Sequence, residues 1–140
     1  ITQIASGKKK IRLGAISPTR DFNYVTDICD AFIAVGESEP SIGKIINAAS
    51  NFEISIGETA NLIASVMNEE IEIICEEERL RPELSEVNRL FGDNTMLTKL
   101  TTWIPKYGGK DGFKKGLLKT CDWFSNKDNL KKYKIGEYTI

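Results

Sequence analysis

A chain of 140 residues is long enough for one compact domain with a real core. With 41% hydrophobic and 28% charged residues it reads as an ordinary soluble globular protein, and a formal net charge of -1 leaves no broad basic surface for nucleic acid and no polybasic membrane patch. The lack of histidine removes His-based triads, His general bases and His metal ligation together.

In chain order, Ile1 to Ser6 reads as the last turns of a helix stopped at Gly7, and Ile11-Arg12-Leu13-Gly14 alternates as a half-buried strand does. Ser17-Pro18-Thr19 signals a turn, and Arg20 to Val25 a short extended segment. Thr26 or Asp27 is placed to cap the next helix, whose Ile28, Ala31, Phe32 and Val35 share a face up to Gly36. Lys44-Ile45-Ile46-Asn47-Ala48 predicts a short, largely apolar strand of a covered sheet. Ser55 and Glu58 form a capping box for a helix with Ile56, Ala60, Ile63 and Met67 inward. Glu70-Ile71-Glu72-Ile73 alternates again as a strand. Gly92-Asp93-Asn94 opens a helix with Met96, Leu97 and Leu100 inward, closed by Trp103-Ile104-Pro105. Asp111 is placed to cap a long last helix bearing Phe113, Leu117, Thr120 and Phe124. The polar tail from Lys127 predicts a loose end. This order predicts α/β or α+β layers, without the early Gly-rich strand–turn–helix of a self-sufficient nucleotide-binding fold.

No apolar run approaches the ~20 residues that span a bilayer, and no signal peptide opens the chain. The start, Ile1-Thr2-Gln3-Ile4-Ala5, reads as the middle of a longer protein. Cys29, Cys75 and Cys121 are widely spaced and odd in number, so they predict reduced thiols in a cytoplasmic setting and not a disulfide framework or metal site.

The most informative stretch runs from Arg79 to Asp93, with three arginines, a proline and spaced carboxylates between a strand and a helix. Pro82 fixes its own φ and pushes Arg81 towards extended backbone, which holds the Arg81 side chain at a defined angle. A fixed guanidinium presents a planar fork of donors to a pair of phosphate oxygens. Glu86 is then placed to accept hydrogen bonds from neutral hydroxyls beside that phosphate, a pairing that suits a nucleotide or nucleotide sugar. The plain alternative is a solvated loop with surface ion pairs, each worth little.

Several anchors then agree with a known family. Arg20-Asp21-Phe22-Asn23-Tyr24-Val25-Thr26-Asp27 resembles the Arg-Asp-aromatic-x-Tyr-Val-x-Asp signature of extended short-chain dehydrogenases that act on nucleotide sugars. Ile46-Asn47-Ala48-Ala49-Ser50 followed by Ser55-Ile56-Gly57-Glu58 resembles their Asn-x-Gly-Ser and Ser-Ile-x-Glu segment, with Ala48-Ala49 in place of the usual glycine. Arg81-Pro82, Glu86-Val87, Leu90 and Gly92-Asp93 resemble the Arg-Pro-x-Glu-Val-x-x-Leu-x-Gly-Asp stretch, with two extra residues before Glu86. Trp103-Ile104-Pro105 and the last helix with Trp123-Phe124 fit the closing patterns. The pattern is most similar to NAD-dependent nucleotide-sugar 4,6-dehydratases, in particular those of legionaminic acid synthesis.

The resemblance covers the C-terminal part of that family. It implies an α/β, α+β-like fragment over residues 1–126: a C-terminal substrate-binding lobe plus the last strands and helices of an incomplete Rossmann-type domain, with a polar tail over 127–140. The Gly-rich phosphate turn, the Tyr-x-x-x-Lys pair and the acid/base carboxylates lie upstream in the family. Tyr107 and Lys110 are three positions apart and read as a coincidence. The resemblance therefore implies no catalytic residue here, and NAD only in the intact protein, where it would take and return the sugar's hydride.

What it does imply is substrate grip. Arg20 and Arg81 would contact the diphosphate of a UDP- or GDP-linked sugar, and Glu86, with Ser85 beside it, would hold the ribose hydroxyls. The alternative for Arg20 is an ion pair with Asp21 or Asp27. An uncovered apolar patch and a homodimer or strand-paired self-association are expected of such a fragment. A free-standing regulatory domain that binds a nucleotide or a protein, without catalysis, is the second reading.

Overall fold

The computed structural model describes residues 1–82 and 85–133. In chain order its elements are α1 (Thr2–Ala5), β1 (Lys10–Leu13), β2 (Thr19–Asp21), α2 (Val25–Gly36), β3 (Glu53–Ser55), α3 (Ile56–Val66), β4 (Glu72–Cys75), β5 (Arg89–Leu90), α4 (Thr95–Leu100), α5 (Gly109–Ser125) and α6 (Lys127–Leu130). Short 3₁₀ turns lie at Glu39–Ser41 and Glu77–Arg79. The chain divides into two units: one holds Ile1–Pro18, Ser55–Asn88 and the residues from Leu117 on, the other Thr19–Ile54 and Arg89–Gly116. The mixed α/β class expected from the sequence is what forms.

In the first unit, β1 and β4 pair in parallel with Lys10 opposite Glu72 and Leu13 opposite Cys75. Alternation along β1 buries Ile11 and exposes Lys10 and Arg12. Ile11, Ile4 of α1 and Ala64 of α3 make the core, with Leu13, Ile63, Met67 and Ile71 packed against it. The strand expected at Glu70–Ile73 forms two residues later, where β1 supplies ladder partners. The capping box of α3 is complete: the Glu58 N–H donates to Ser55 Oγ at 3.1 Å, and the Ser55 N–H donates to Glu58 Oε2 at 3.1 Å. The described part of the tail forms one short helix. Asn126 caps α6 by accepting the Asp128 N–H at 2.8 Å, and Tyr133 packs edge-on against Trp123 and Phe124.

In the second unit the strand order is β3-β2-β5, with β2 and β5 parallel. Its core joins Ala31 of α2, Leu97 of α4 and Trp103. Leu97 is fully buried, whereas Met96, expected inward, is exposed because it is one residue round the helix from that contact. Two other expectations fail. Neither Thr26 nor Asp27 caps α2: the N-cap position belongs to Tyr24, with no side-chain bond. The Asp27 carboxylate accepts the backbone N–H groups of Lys106 and Tyr107 at 3.2 and 2.8 Å instead. Lys44–Ala48 forms no strand among the described residues, and Ile45 is 94% exposed. An apolar run becomes a strand only where a neighbour takes its ladder bonds, and the described residues offer it none.

Candidate functional site

The Arg-Asp-Phe segment begins on β2, where Thr19 lies opposite Arg89 and Arg20 opposite Leu90. The two-residue period of a strand places the Arg20 Cβ on the face opposite to Thr19 and Asp21. The face of Thr19 is closed by an ion pair. Glu53 accepts Arg89 Nε at 3.0 Å and Nη2 at 2.7 Å, and the Thr19 hydroxyl donates to it at 2.9 Å. Hydrogen bonding from Arg89, and next from Thr19, holds the Glu53 carboxyl below the usual carboxylate range.

Both aspartates of the segment serve the backbone. Asp21 accepts the Ser50 hydroxyl at 2.6 Å and the N–H groups of Ser50, Asn51 and Gly92 at 3.0, 3.1 and 3.3 Å. Asp27, 2% exposed, holds the Lys106 and Tyr107 amides, while its own carbonyl accepts Trp103 Nε1 at 2.9 Å. Tyr24 stacks at a tilt on Tyr107, with centroids 4.3 Å apart. Tyr107 is thus a packing residue at the foot of α5. Arg20 is half-buried, and its Nη1 donates to the Thr19 carbonyl at 2.8 Å. The segment reads as a brace that ties three loops together through its two aspartates.

The other expected residues lie in the first unit, so Arg20 belongs to one unit and Arg81, Ser85 and Glu86 to the other. Arg79 donates its Nε to Glu76 at 2.6 Å, and Arg12 reaches the same carboxylate at 3.1 Å. Those contacts, Arg79 first, hold the Glu76 carboxyl below the usual range. Arg81 is exposed and enters no ion pair among the described residues. Ser85 spends its hydroxyl and its N–H on the Pro82 carbonyl, at 2.9 and 2.8 Å, closing a turn. Glu86 is half-buried. Glu83 and Leu84, between them, lie outside the described residues.

Of the three arginines in this stretch, Arg79 and Arg89 are thus engaged by carboxylates, and Arg81 is solvent-exposed. Sequence reasoning missed Glu53, Glu76, Ser50 and Gly14 as the parts that hold the arginine-bearing segments. Glu53, Ser50 and Gly14 work through contacts distant in the chain, and Glu76 joins Arg79, three residues on, to the distant Arg12.

A dinucleotide needs a strand–turn–helix whose first amides are open to a pyrophosphate. Here the direct strand-to-helix junction is β3 to α3, where Ser55 and the anionic Glu58 already occupy the helix start. The start of α3 therefore does not present open amides to a pyrophosphate. Among the described residues no group of three or more His, Cys, Asp or Glu is placed to hold a metal ion, and no helix is long and apolar enough to cross a membrane.

A family profile described as GDP-mannose 4,6 dehydratase matches residues 1–116. The chain is 29% identical over 116 residues to the GDP-6-deoxy-D-mannose reductase of Pseudomonas aeruginosa, covering 83% of this chain and 36% of that protein. It is 28% identical over 124 residues to the UDP-glucose 4-epimerase of Mycolicibacterium smegmatis, covering 89% and 37%. The solved structure of RMD from Pseudomonas aeruginosa, complexed with NADPH, superimposes with a TM-score of 0.74 at 23% identity, over 94% of this chain and 40% of that one. The chain thus spans little more than a third of the length of the curated relatives it matches.

Proposed function

The chain belongs to the GDP-mannose 4,6 dehydratase family, and from that premise we propose that it is the substrate-binding portion of an NAD-dependent nucleotide-sugar dehydratase or epimerase. Arg81 and Arg20 are each assigned to the diphosphate, and Glu86 to the ribose hydroxyls. The observation that carries the reading is the division of labour among the arginines: Arg79 and Arg89 are tied to Glu76 and Glu53, while Arg81 stands exposed beside a proline that restricts its backbone. An exposed guanidinium on restrained backbone is suited to a diphosphate that arrives with the substrate.

The uncovered apolar surface of the second unit supports the same reading. Phe32 is 76% exposed, and an open groove of about 380 Å³ runs between α2 and the Lys44–Ala48 segment, lined by Ile28, Ala31, Val35, Ile46 and Leu97. A face of that kind suits burial against a further part of a larger fold. NAD would then be held by residues other than those described here.

In the full-length protein, Arg81→Ala should raise the KM for the nucleotide sugar by about tenfold or more, with the unfolding midpoint unchanged. A lower midpoint with an unchanged KM would make Arg81 a structural residue.

A further inference from the structure

The Arg81 segment is anchored through the turn that precedes it. It leaves β4 through the Glu77–Arg79 turn, closed by the Arg79 N–H on the Glu76 carbonyl and the Leu80 N–H on the Glu77 carbonyl, both at 3.0 Å. Two contacts fix this turn against the end of β1. The Glu76 N–H donates to the Leu13 carbonyl at 2.8 Å, which extends the parallel ladder by one step. Immediately beyond Leu13 comes Gly14. A Cβ built on Gly14 would lie 2.3 Å from the Arg79 carbonyl oxygen and 3.0 Å from its carbon. The obstacle is backbone, which cannot rotate away as a side chain does. Glu76 completes the clamp by binding Arg79 at 2.6 Å and Arg12 at 3.1 Å.

Resting on the assignment of Arg81 to the diphosphate, we propose that Gly14 and Glu76 are positioning residues that set the direction of Arg81. Arg81 follows Arg79 by two residues, with Pro82 restricting the freedom between them and the chain beyond. A methyl group at Gly14 displaces the Arg79 carbonyl by about an ångström before ordinary contact is restored, and a guanidinium that loses a charged hydrogen bond to its ligand forfeits about ten- to a hundredfold in affinity. The position requires glycine for space and not for an unusual φ.

The test is a double-mutant cycle in the full-length protein, with equilibrium binding of UDP and GDP as the probes. Gly14→Ala is expected to weaken the diphosphate that binds by about ten- to a hundredfold. Arg81→Ala should weaken it comparably, and the double variant should be no weaker than Arg81→Ala alone. Glu76→Gln, which keeps the side-chain shape, should follow the same pattern and replaces Gly14→Ala if that variant does not fold. If Arg81→Ala weakens binding while Gly14→Ala and Glu76→Gln bind as the wild type does, the positioning role is wrong and the reading of Arg81 stands. The positioning role is equally wrong if their effects simply add to that of Arg81→Ala. If Arg81→Ala binds as the wild type does, or neither diphosphate binds, the assignment of Arg81 falls and the positioning role falls with it.

Discussion

Asp21 Oδ1 accepts the Ser50 hydroxyl at 2.6 Å and the Ser50 amide at 3.0 Å, so one carboxylate on β2 fixes a loop 29 residues further along the chain. Its other oxygen takes the amides of Asn51 and Gly92. Asp21→Ala leaves these donors without an acceptor where Ser50 is buried, and is expected to cost about 2–3 kcal/mol of stability in urea unfolding. Asp21→Asn keeps one acceptor oxygen and should lose less. Equal losses in the two variants would show that one retained acceptor oxygen contributes nothing without the other.

Helix α5 gives a prediction whose sign opposes helix propensity. Gly112 is interior to the helix, where alanine is ordinarily better by about 1 kcal/mol. A Cβ there would lie 2.5 Å from the Tyr107 carbonyl carbon, so Gly112→Ala should destabilise by about 1–3 kcal/mol. Gly36, the last residue of α2, meets nothing within 4 Å. Gly36→Ala should therefore be neutral or stabilising by about 0.5 kcal/mol. Thermal unfolding of the two variants side by side separates space from propensity.

The Glu53–Arg89 pair predicts a pH dependence. The Glu53 carboxyl is held below its ordinary range in the folded chain, by the Arg89 hydrogen bond first. The unfolded chain therefore binds this proton more readily than the folded chain. The stability from the pair is fully present above the ordinary carboxylate range and is lost as pH falls through the folded value. Urea midpoints followed from neutral pH into the acid range should fall less steeply in Glu53→Gln than in the wild type. Parallel acid limbs would remove the pair from the account.

The exposed apolar face of the second unit predicts self-association of the 140-residue chain. Ile45→Lys adds charge at a side chain that is 94% exposed, so it should leave the unfolding midpoint within about 0.5 kcal/mol while lowering the apparent mass in sedimentation. An unchanged mass distribution would mean that this face does not drive association.

Local chemistry in the sequence was a good guide wherever the answer was local. The Ser55–Glu58 box marked the start of α3, and the alternation at Ile11 marked β1. It misled where the answer depended on a distant partner. Lys44–Ala48 has strand composition but no ladder neighbour among the described residues. Asp27 looks like a helix cap, yet it binds amides some 80 residues away. The candidate site was legible to the same extent. Arg81 beside Pro82 is visible as a motif, but the removal of Arg79 and Arg89 from consideration needed the positions of Glu76 and Glu53. Gly14 carries no signal at all until the Arg79 carbonyl is seen against it.

The proposed roles of Arg20 and of Arg81 are each open to a direct binding test. The most direct measurement is calorimetric titration of the full-length protein and its Arg20→Ala and Arg81→Ala variants with UDP, GDP and their N-acetylglucosamine conjugates. If each arginine contacts the diphosphate, the wild type binds one diphosphate series stoichiometrically, and each variant loses about tenfold or more in affinity for it while keeping its unfolding midpoint. Wild-type affinity in both variants would contradict both roles.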